Sequence, residues 1–402
     1  MEVKIIDTAY GGYGIAKDKN GKIIFVPHSV EGDLLDIYFT KESKKFSYGI
    51  IKKIIEPSEY RIKPKCKYAG ICGGCVFCHI DYNKQLDIKK KIVLNAIRNL
   101  DYIKDIKIIY NKNINYNEGY RLRVNMIAFN GNVGFYRFKS NDFVDIDECI
   151  ILKKSLFKRI KDFSKENNIT GSIYSIENNN NEAFAFIELN KKNNIKSFEK
   201  YFKGITIKHN KNIKNYGIEG MLYNTKYGGI PIGHKTFFQS NLYLLDVFQD
   251  EAVKYIGDND NTLIELYSGS GFFTISIENK LKSFNKYYNF ISSEISKDSV
   301  YIANKYGLNI KNEDALITLK NINYNADVLI LDPPRDGINK EVIKEIIRVK
   351  PKKIIYISCD PMTFSRDINL MKDYYNMLDL SIIDMFADTY HIELISYLEK
   401  RS

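Results

Sequence analysis

The chain has no tryptophan, eight prolines, six cysteines, and only 10 arginines against 50 lysines in 402 residues. No apolar run approaches the ~20 residues of a membrane-spanning helix. The opening Met-Glu-Val-Lys-Ile-Ile-Asp lacks the basic-then-apolar order of a secretory signal. Six cysteines are too few to staple a chain of this length. Their clustering points to metal ligation in a reducing compartment, so the sequence reads as cytoplasmic.

What is present describes a globular chain of two or three domains, 44% hydrophobic and 27% charged. The formal net charge is +11, which suggests an anionic partner. A lysine-over-arginine bias of this size also reflects genome composition, so the distribution of charge says more than its total. Residues 1–60 carry nine basic and nine acidic side chains. Residues 61–250 carry 32 and 18, and residues 251–402 carry 19 and 22. The excess is confined to the middle of the chain.

The hydrophobic pattern divides the chain at 57 and 240. Residues 1–57 alternate over Val3–Ile6, Ile23–Val26, Leu34–Phe39 and Tyr48–Ile54. Gly11-Gly12, Asn20-Gly21 and Glu31-Gly32-Asp33 break these runs, with Asn20-Gly21 suited to a two-residue hairpin turn. About five short strands at this spacing suit an oligonucleotide-binding type of β-barrel. Residues 58–240 hold a cysteine-rich stretch at 66–79, a helix at 81–100, and strand-like runs at Leu122–Ile127, Val133–Phe138 and Phe184–Leu189. Polar stretches at Asn178–Asn181 and Lys191–Asn194 read as loop tips. From 241 to 402 strand-like runs (Thr262–Leu266, Asn289–Ser293, Asp327–Leu331, Lys353–Ser358) alternate with helix-length segments. This is the doubly wound α/β pattern, with ligands expected at the strand C-termini.

Three motifs fall at those C-termini. Tyr267-Ser268-Gly269-Ser270-Gly271 follows the first strand and opens a helix, and Glu294 closes the next strand. Such glycines let backbone N–H groups approach a ligand at a helix N-terminus, and the acid can accept hydrogen bonds from ribose hydroxyls. There is no P-loop, and the third glycine of the dinucleotide fingerprint is missing. Asp332-Pro333-Pro334-Arg335-Asp336-Gly337 follows a later strand, where two prolines stiffen a loop and shape a pocket for a planar base. It departs from the Asn-Pro-Pro-aromatic form of enzymes that methylate exocyclic amines. Ser358-Cys359-Asp360-Pro361 places a cysteine at a strand end, as a nucleophile requires. Near the end, Glu393 of His391-Ile392-Glu393 is a candidate general base. For His391 a hydrogen-bonded structural role is at least as good a reading as a catalytic one.

The cysteines Cys66, Cys72 and Cys75 share one loop, and Cys149 follows Asp147-Glu148. Four thiolates suit an iron–sulfur cluster or a zinc ion. Cys78 stands Cys-x2-Cys from Cys75, so spacing alone leaves Cys78 and Cys149 both open.

Gly11-Gly12-Tyr13-Gly14-Ile15, Phe25-Val26-Pro27 and Gly32-Asp33 resemble a TRAM domain, an RNA-binding barrel. The turn at 267–271 with Glu294 is similar to that of class I S-adenosylmethionine-dependent methyltransferases. From Gly11 to Glu393 the chain resembles the TRAM-containing RNA uracil-5-methyltransferases, most of all the bacterial 23S ribosomal-RNA enzymes. Tyr120-Arg121-Leu122-Arg123, Gly134-Phe135-Tyr136-Arg137, Asp145-Ile146-Asp147-Glu148-Cys149 and Phe237-Phe238-Gln239-Ser240-Asn241 add to the likeness. So do the cysteine, Asp332, Cys359 and Glu393 motifs.

The resemblance implies Cys359 as nucleophile and Glu393 as base. It implies Gln239, Tyr267, Gly269, Gly271, Glu294, Asp314 and Asp332 around S-adenosylmethionine, and a 4Fe-4S cluster on Cys66, Cys72, Cys75 and Cys149 with Cys78 a bystander. It implies a monomer acting on RNA, ribosomal in preference to transfer RNA, with neither DNA nor a membrane as partner. Two positions depart from the family: Ser268 stands where relatives often carry Cys, and Phe272 where some place a cofactor-touching Asn. The segment between Gly271 and Glu294 is also several residues longer.

Overall fold

A computed structural model describes residues 1–100, 105–113, 115–193, 195–234 and 236–401. Asn194, at the end of one polar stretch, lies outside the described residues. The chain forms two compact units. One comprises Met1–Asn95, Gly134–Ile146 and Phe386–His391, and the other the remaining residues.

In the first unit six strands form a sheet in the order Glu2–Lys4, Leu34–Glu42, Phe46–Glu56, Ile23–Pro27, Tyr13–Lys17, Asp7–Ala9. Alternate residues point inward, so Val3, Ala16, Ile24, Val26, Leu35 and Ile37 pack with Ile5 as one core. The sixth strand arises because the run over Val3–Ile6 does not stay in one ladder. The Ile5 N–H turns to the Asp33 carbonyl and the Ile6 N–H to that of Ile15, and a separate strand begins at Asp7. The Asn20-Gly21 hairpin is present, but its paired strands end at Lys17 and Ile23. Asp18 organises the five-residue loop by accepting from the N–H groups of Asn20 and Lys22. The long helix falls at Tyr82–Ile97.

The second unit holds a strand-rich part and the α/β part. In the first of these, strands run in the order Arg123–Phe129, Gly171–Glu177, Ala183–Leu189, Gly204–His209, Asn212–Gly217. A helix at Lys154–Glu166, not expected from the sequence, buries Leu156, Phe157, Ile160 and Phe163. Its i, i+4 and i+7 spacing (Leu156, Ile160, Phe163) was there to read, under a dense coat of lysines. Lys153 and Arg159 both reach the fully buried Glu177, at 2.7 and 3.6 Å. A buried carboxylate demands such partners, so these two cations are committed to the fold.

The α/β part is an eight-stranded sheet. Its order is Ile310–Asn312, Asn289–Glu294, Thr262–Leu266, Val328–Leu331, Lys353–Ser358, Glu393–Lys400, Tyr375–Ile383, Lys107–Ile109. The first five strands are parallel. Their apolar runs carry no alternation because helices cover both faces; Val328–Leu331 is buried throughout. Glu393–Lys400 enters antiparallel between Lys353–Ser358 and Tyr375–Ile383. Among the described residues no helix is long and apolar enough to cross a membrane.

Candidate active site

Sheet register decides which side chains meet. Leu266 pairs with both Ser293 and Leu331, so Tyr267, Glu294 and Asp332 leave their strands at one level. Leu331 pairs with Tyr356, which brings the end of Lys353–Ser358, and Cys359 after it, to the same edge. The last strand runs the other way. Ser358 pairs with Leu394, so the beginning of that strand, Glu393, stands beside the end of its neighbour. An antiparallel insertion thus delivers a carboxylate to the C-terminal edge of a parallel sheet.

At the Gly-x-Gly turn, Tyr267, Gly269 and Gly271 all take left-handed φ values of 62°, 57° and 96°. Tyr267 holds a conformation that is unusual for a bulky side chain. The Gly269 N–H donates to Glu294 Oε2 at 2.9 Å, and the Ser296 N–H to Oε1 at 2.8 Å, so both oxygens are oriented by backbone. Nothing lies within 4 Å of a Cβ built on Gly269, leaving open space over the turn. Gln239 is buried with Oε1 unpartnered, as are Ser270 Oγ and Glu265 Oε1. Buried polar atoms are rarely left so without a ligand to take them up. An adenosyl cofactor with ribose hydroxyls and an amino-acid tail fits this donor set. Asp314 caps the helix Ala315–Lys320 through the Leu316 N–H at 2.9 Å and adds to the negative field around Tyr267. Phe272 faces the other way. Its ring packs among Phe238, Phe248 and Phe273 in the core, so it takes no part in the open edge.

The reacting edge is electrostatically loaded. Burial, then the neighbouring Asp332, pushes the Glu393 carboxyl up to about 8, against the pull of Arg335 and Arg123. Burial and then Glu294 push Asp332 up to about 7. Burial, then Glu393 and Asp332, drives the Cys359 thiol up to about 12, with Arg335 opposing. Cys359 is half-buried just before Asp360, which caps the helix Pro361–Met371 by accepting from the N–H groups of Met362 and Thr363.

Two basic residues at this edge were not singled out from the sequence. Arg335 appeared there only as part of a loop motif, yet it is the cation that draws down both Glu393 and Cys359. Arg123 lies over the half-exposed Phe237 ring at 4.3 Å and donates from Nε to Ser240 Oγ at 3.0 Å. It thereby braces the segment that carries Gln239. The available signal was an arginine opening a strand whose alternate residues Val124, Met126 and Ala128 are apolar and point inward.

The remaining expected residues lie elsewhere. His391 belongs to the first unit, where its ring meets Tyr390 at 4.4 Å and Phe386 at 5.6 Å. Cys66, Cys72, Cys75 and the buried Cys78 are also in that unit, whereas Cys149 belongs to the second. Gly73 donates its N–H to the Tyr136 carbonyl, docking the cysteine loop on the hairpin that follows Gly134. Among the described residues no three His, Cys, Asp or Glu side chains are grouped to hold a metal ion.

A stability prediction follows from the crowded carboxyls. Glu265, Asp332 and Glu393 all titrate well above the ~4 of an unfolded carboxyl. A raised folded-state value stabilises below the unfolded value, and that contribution is lost as pH rises through 7 to 8. Urea melts of the ligand-free protein are expected to weaken from pH 5 to pH 8.5. Glu393→Gln should be more stable than the parent at pH 8.5 by about 2 kcal/mol, and little different at pH 4. An equal difference at both pH values would refute the electrostatic origin.

The fold and its edge define a class I, S-adenosylmethionine-dependent methyltransferase. A family model described as tRNA (Uracil-5-)-methyltransferase matches residues 307–401. A curated relative from Aquifex aeolicus, called an uncharacterized RNA methyltransferase, is 27% identical over 431 residues, covering 99% of this chain and 98% of its own. Another so described, from Caldanaerobacter subterraneus subsp. tengcongensis, is 29% identical with the same coverage. The crystal structure of Pyrococcus abyssi tRNA (uracil-54, C5)-methyltransferase in complex with S-adenosyl-L-homocysteine shares the fold. Its TM-score is 0.78 at 22% identity, over 99% of this chain and 100% of that one. Residues 307–401 thus match a uracil-5-methyltransferase model, and the whole chain is similar to curated RNA methyltransferases.

Proposed function

We propose that the protein methylates carbon 5 of a specific uridine in RNA, with 23S ribosomal RNA as substrate. The observation that carries this is the meeting of Cys359, Asp332 and Glu393 at one sheet edge beside an open Gly-x-Gly turn. Carbon 5 of uracil is a poor nucleophile. Once the Cys359 thiol has lost its proton to solvent, addition of the thiolate to carbon 6 turns the ring into an enolate whose carbon 5 can attack, splitting one hard step into two easier ones. S-adenosylmethionine, when bound, supplies the methyl group as an electrophile. Glu393 then removes the carbon-5 proton, the C6–S bond breaks, and Cys359 leaves as thiolate. Asp332 accepts the N3–H and orients the ring, through a carboxylate oxygen or through the carbonyl oxygen of its neutral form. Gln239 binds the cofactor or the ring carbonyl region.

The target base must leave its stack to reach the edge, and the half-exposed Phe237 offers a ring on which a base can stack. Phosphate contacts are assigned to the lysines of residues 61–250 and should weaken with salt. Lys154, Lys158, Lys165, Lys211 and Lys214 are exposed, whereas Lys153 is tied to Glu177. Reversing the first five to Glu is expected to flatten the slope of log affinity against log salt by about 3 or more. An unchanged slope would remove these positions from the RNA footprint.

A second reading, a transfer-RNA substrate, is favoured by the description of the matching family model. Incubating the protein with labelled cofactor and total RNA from a deletion strain, then mapping the methylated uridine, separates the two. No methylation, together with no binding of S-adenosylmethionine, would leave a non-catalytic RNA-binding factor. We further propose a cytoplasmic monomer. A 4Fe-4S cluster on Cys66, Cys72, Cys75 and Cys149 is proposed from the resemblance alone and takes no part in the steps above. Full iron content in Cys149→Ser would reject that ligand set.

A further inference from the structure

The loop that carries Asp332 and Arg335 and the helix that follows Cys359 are joined at four backbone points. Thr363 Oγ1 donates to the Arg335 carbonyl at 3.1 Å. Arg366 Nη2 donates to the carbonyls of Asp336 and Ile338, at 2.8 and 3.4 Å. The Ile338 N–H donates to Asp367 Oδ2 at 2.7 Å. Asp367 itself is fully buried. It also accepts from the Tyr356 hydroxyl at 2.7 Å and from Arg366 Nε at 2.8 Å, so three donors hold one carboxylate. Tyr356 sits on the strand that ends before Cys359, two residues from its end. The loop turns at Gly337, with φ of 74°, where a Cβ would stand 2.4 Å from Asp367 Oδ2. Only glycine lets the loop close on this carboxylate.

We propose that Asp367, with Arg366 and Gly337, is a positioning clamp that fixes the loop of Asp332 and Arg335 relative to the strand and helix on either side of Cys359. The clamp touches no reacting atom. It acts because one buried carboxylate ties the strand, the loop and the helix together, so that loop and nucleophile cannot shift independently. A fully buried charge with three donors is more than the helix needs for its own stability. The helix already has the Asp360 cap and Pro361 in its first turn. The inference rests on the proposed use of Cys359 as nucleophile.

The test compares Asp367→Ala, Gly337→Ala, Asp367→Asn and Tyr356→Phe with the parent. The two alanine variants are expected to lower kcat about 100-fold, the scale of a misplacement near 1 Å, with KM for cofactor and RNA within about threefold of the parent. Asparagine still offers an oxygen to the Ile338 N–H, so Asp367→Asn should recover most of the loss. Tyr356→Phe keeps all four loop contacts and should lose less than tenfold, and it remains available if the alanine variants do not fold. The distinguishing readout is iodoacetamide alkylation of Cys359, followed by peptide mapping across pH without RNA or cofactor. Releasing Arg335 should slow it at each pH and move the profile upward. A fall in activity that only tracks the folded fraction, or an unmoved alkylation profile, would overturn the clamp. Full methylation by Cys359→Ala would overturn the proposed reaction instead, and leaves the alkylation comparison standing.

Discussion

Cys359→Ala is expected to lower uridine methylation by about 10⁴-fold or more, while S-adenosylmethionine and RNA still bind. The loss is large because nothing else at the edge can add to carbon 6. Asp332 and Glu393 are carboxyls that burial keeps largely neutral, and Arg335 carries no lone pair to give. The parent should form a stable covalent adduct with RNA containing 5-fluorouridine, because fluorine at carbon 5 cannot be removed as the proton is. The alanine variant should form none. Electrophoresis under denaturing conditions reads the result directly. Retained methylation by Cys359→Ala would point to amine or ribose chemistry, which needs no such thiol. The thiol's elevated value of about 12 adds a second expectation. Alkylation of Cys359 in the free protein should rise about tenfold per pH unit through pH 9 without levelling, because the thiolate is not preformed.

Four strands of the eight-stranded sheet were legible because each is an apolar run of four to six residues punctuated by helix-length segments. Thr262–Leu266 and Lys353–Ser358 fall at the expected residues. The place of the last strand was not legible. Nothing in Glu393–Lys400 itself says that it inserts antiparallel next to Lys353–Ser358, because strand order is a tertiary property. Lys107–Ile109 joins the same sheet from almost 300 residues upstream, through three residues too few to carry a pattern. The helix Lys154–Glu166 was missed for a different reason. Its apolar stripe of Leu156, Ile160 and Phe163 is narrow and lies among lysines, between segments that read as strands.

The site divides along the same line. Cys359, Glu393, Asp332 and the glycine turn stand at strand ends, where chemistry narrows the choices. Arg123 and Arg335 could not be ranked as partners. Their importance comes from Glu393, which lies more than 50 residues from Arg335 and more than 250 from Arg123 in sequence. Phe272 shows the converse. A departure from a family position looked like a possible change at the cofactor, and its ring instead completes an aromatic cluster in the core. The cysteines were read as one group because four thiolates suit a cluster. Three of them share a loop in one unit, and Cys149 belongs to the other.

Glu393→Gln should separate the two halves of the reaction. The amide cannot take the carbon-5 proton, so turnover is expected to fall about 10³-fold, within the usual range for loss of a general base. Addition of Cys359 and methyl transfer need no base at carbon 5 and should still proceed. The variant should therefore accumulate a covalent protein–RNA species that already carries the labelled methyl group, visible on denaturing gels with natural uridine. Loss of activity with no such species would assign Glu393 to an earlier step, such as holding the ring. The pH profile provides an independent sign. Burial and Asp332 keep the parent carboxyl protonated until about pH 8, and only its ionised form can act as base. Turnover of the parent should rise more steeply below pH 8 than above it, where only the Cys359 thiol still titrates, whereas the residual turnover of the glutamine variant should lose that change of slope. The same environment that makes Glu393 costly to ionise makes it a strong base once ionised, so the instability expected at high pH and the catalytic role have one cause.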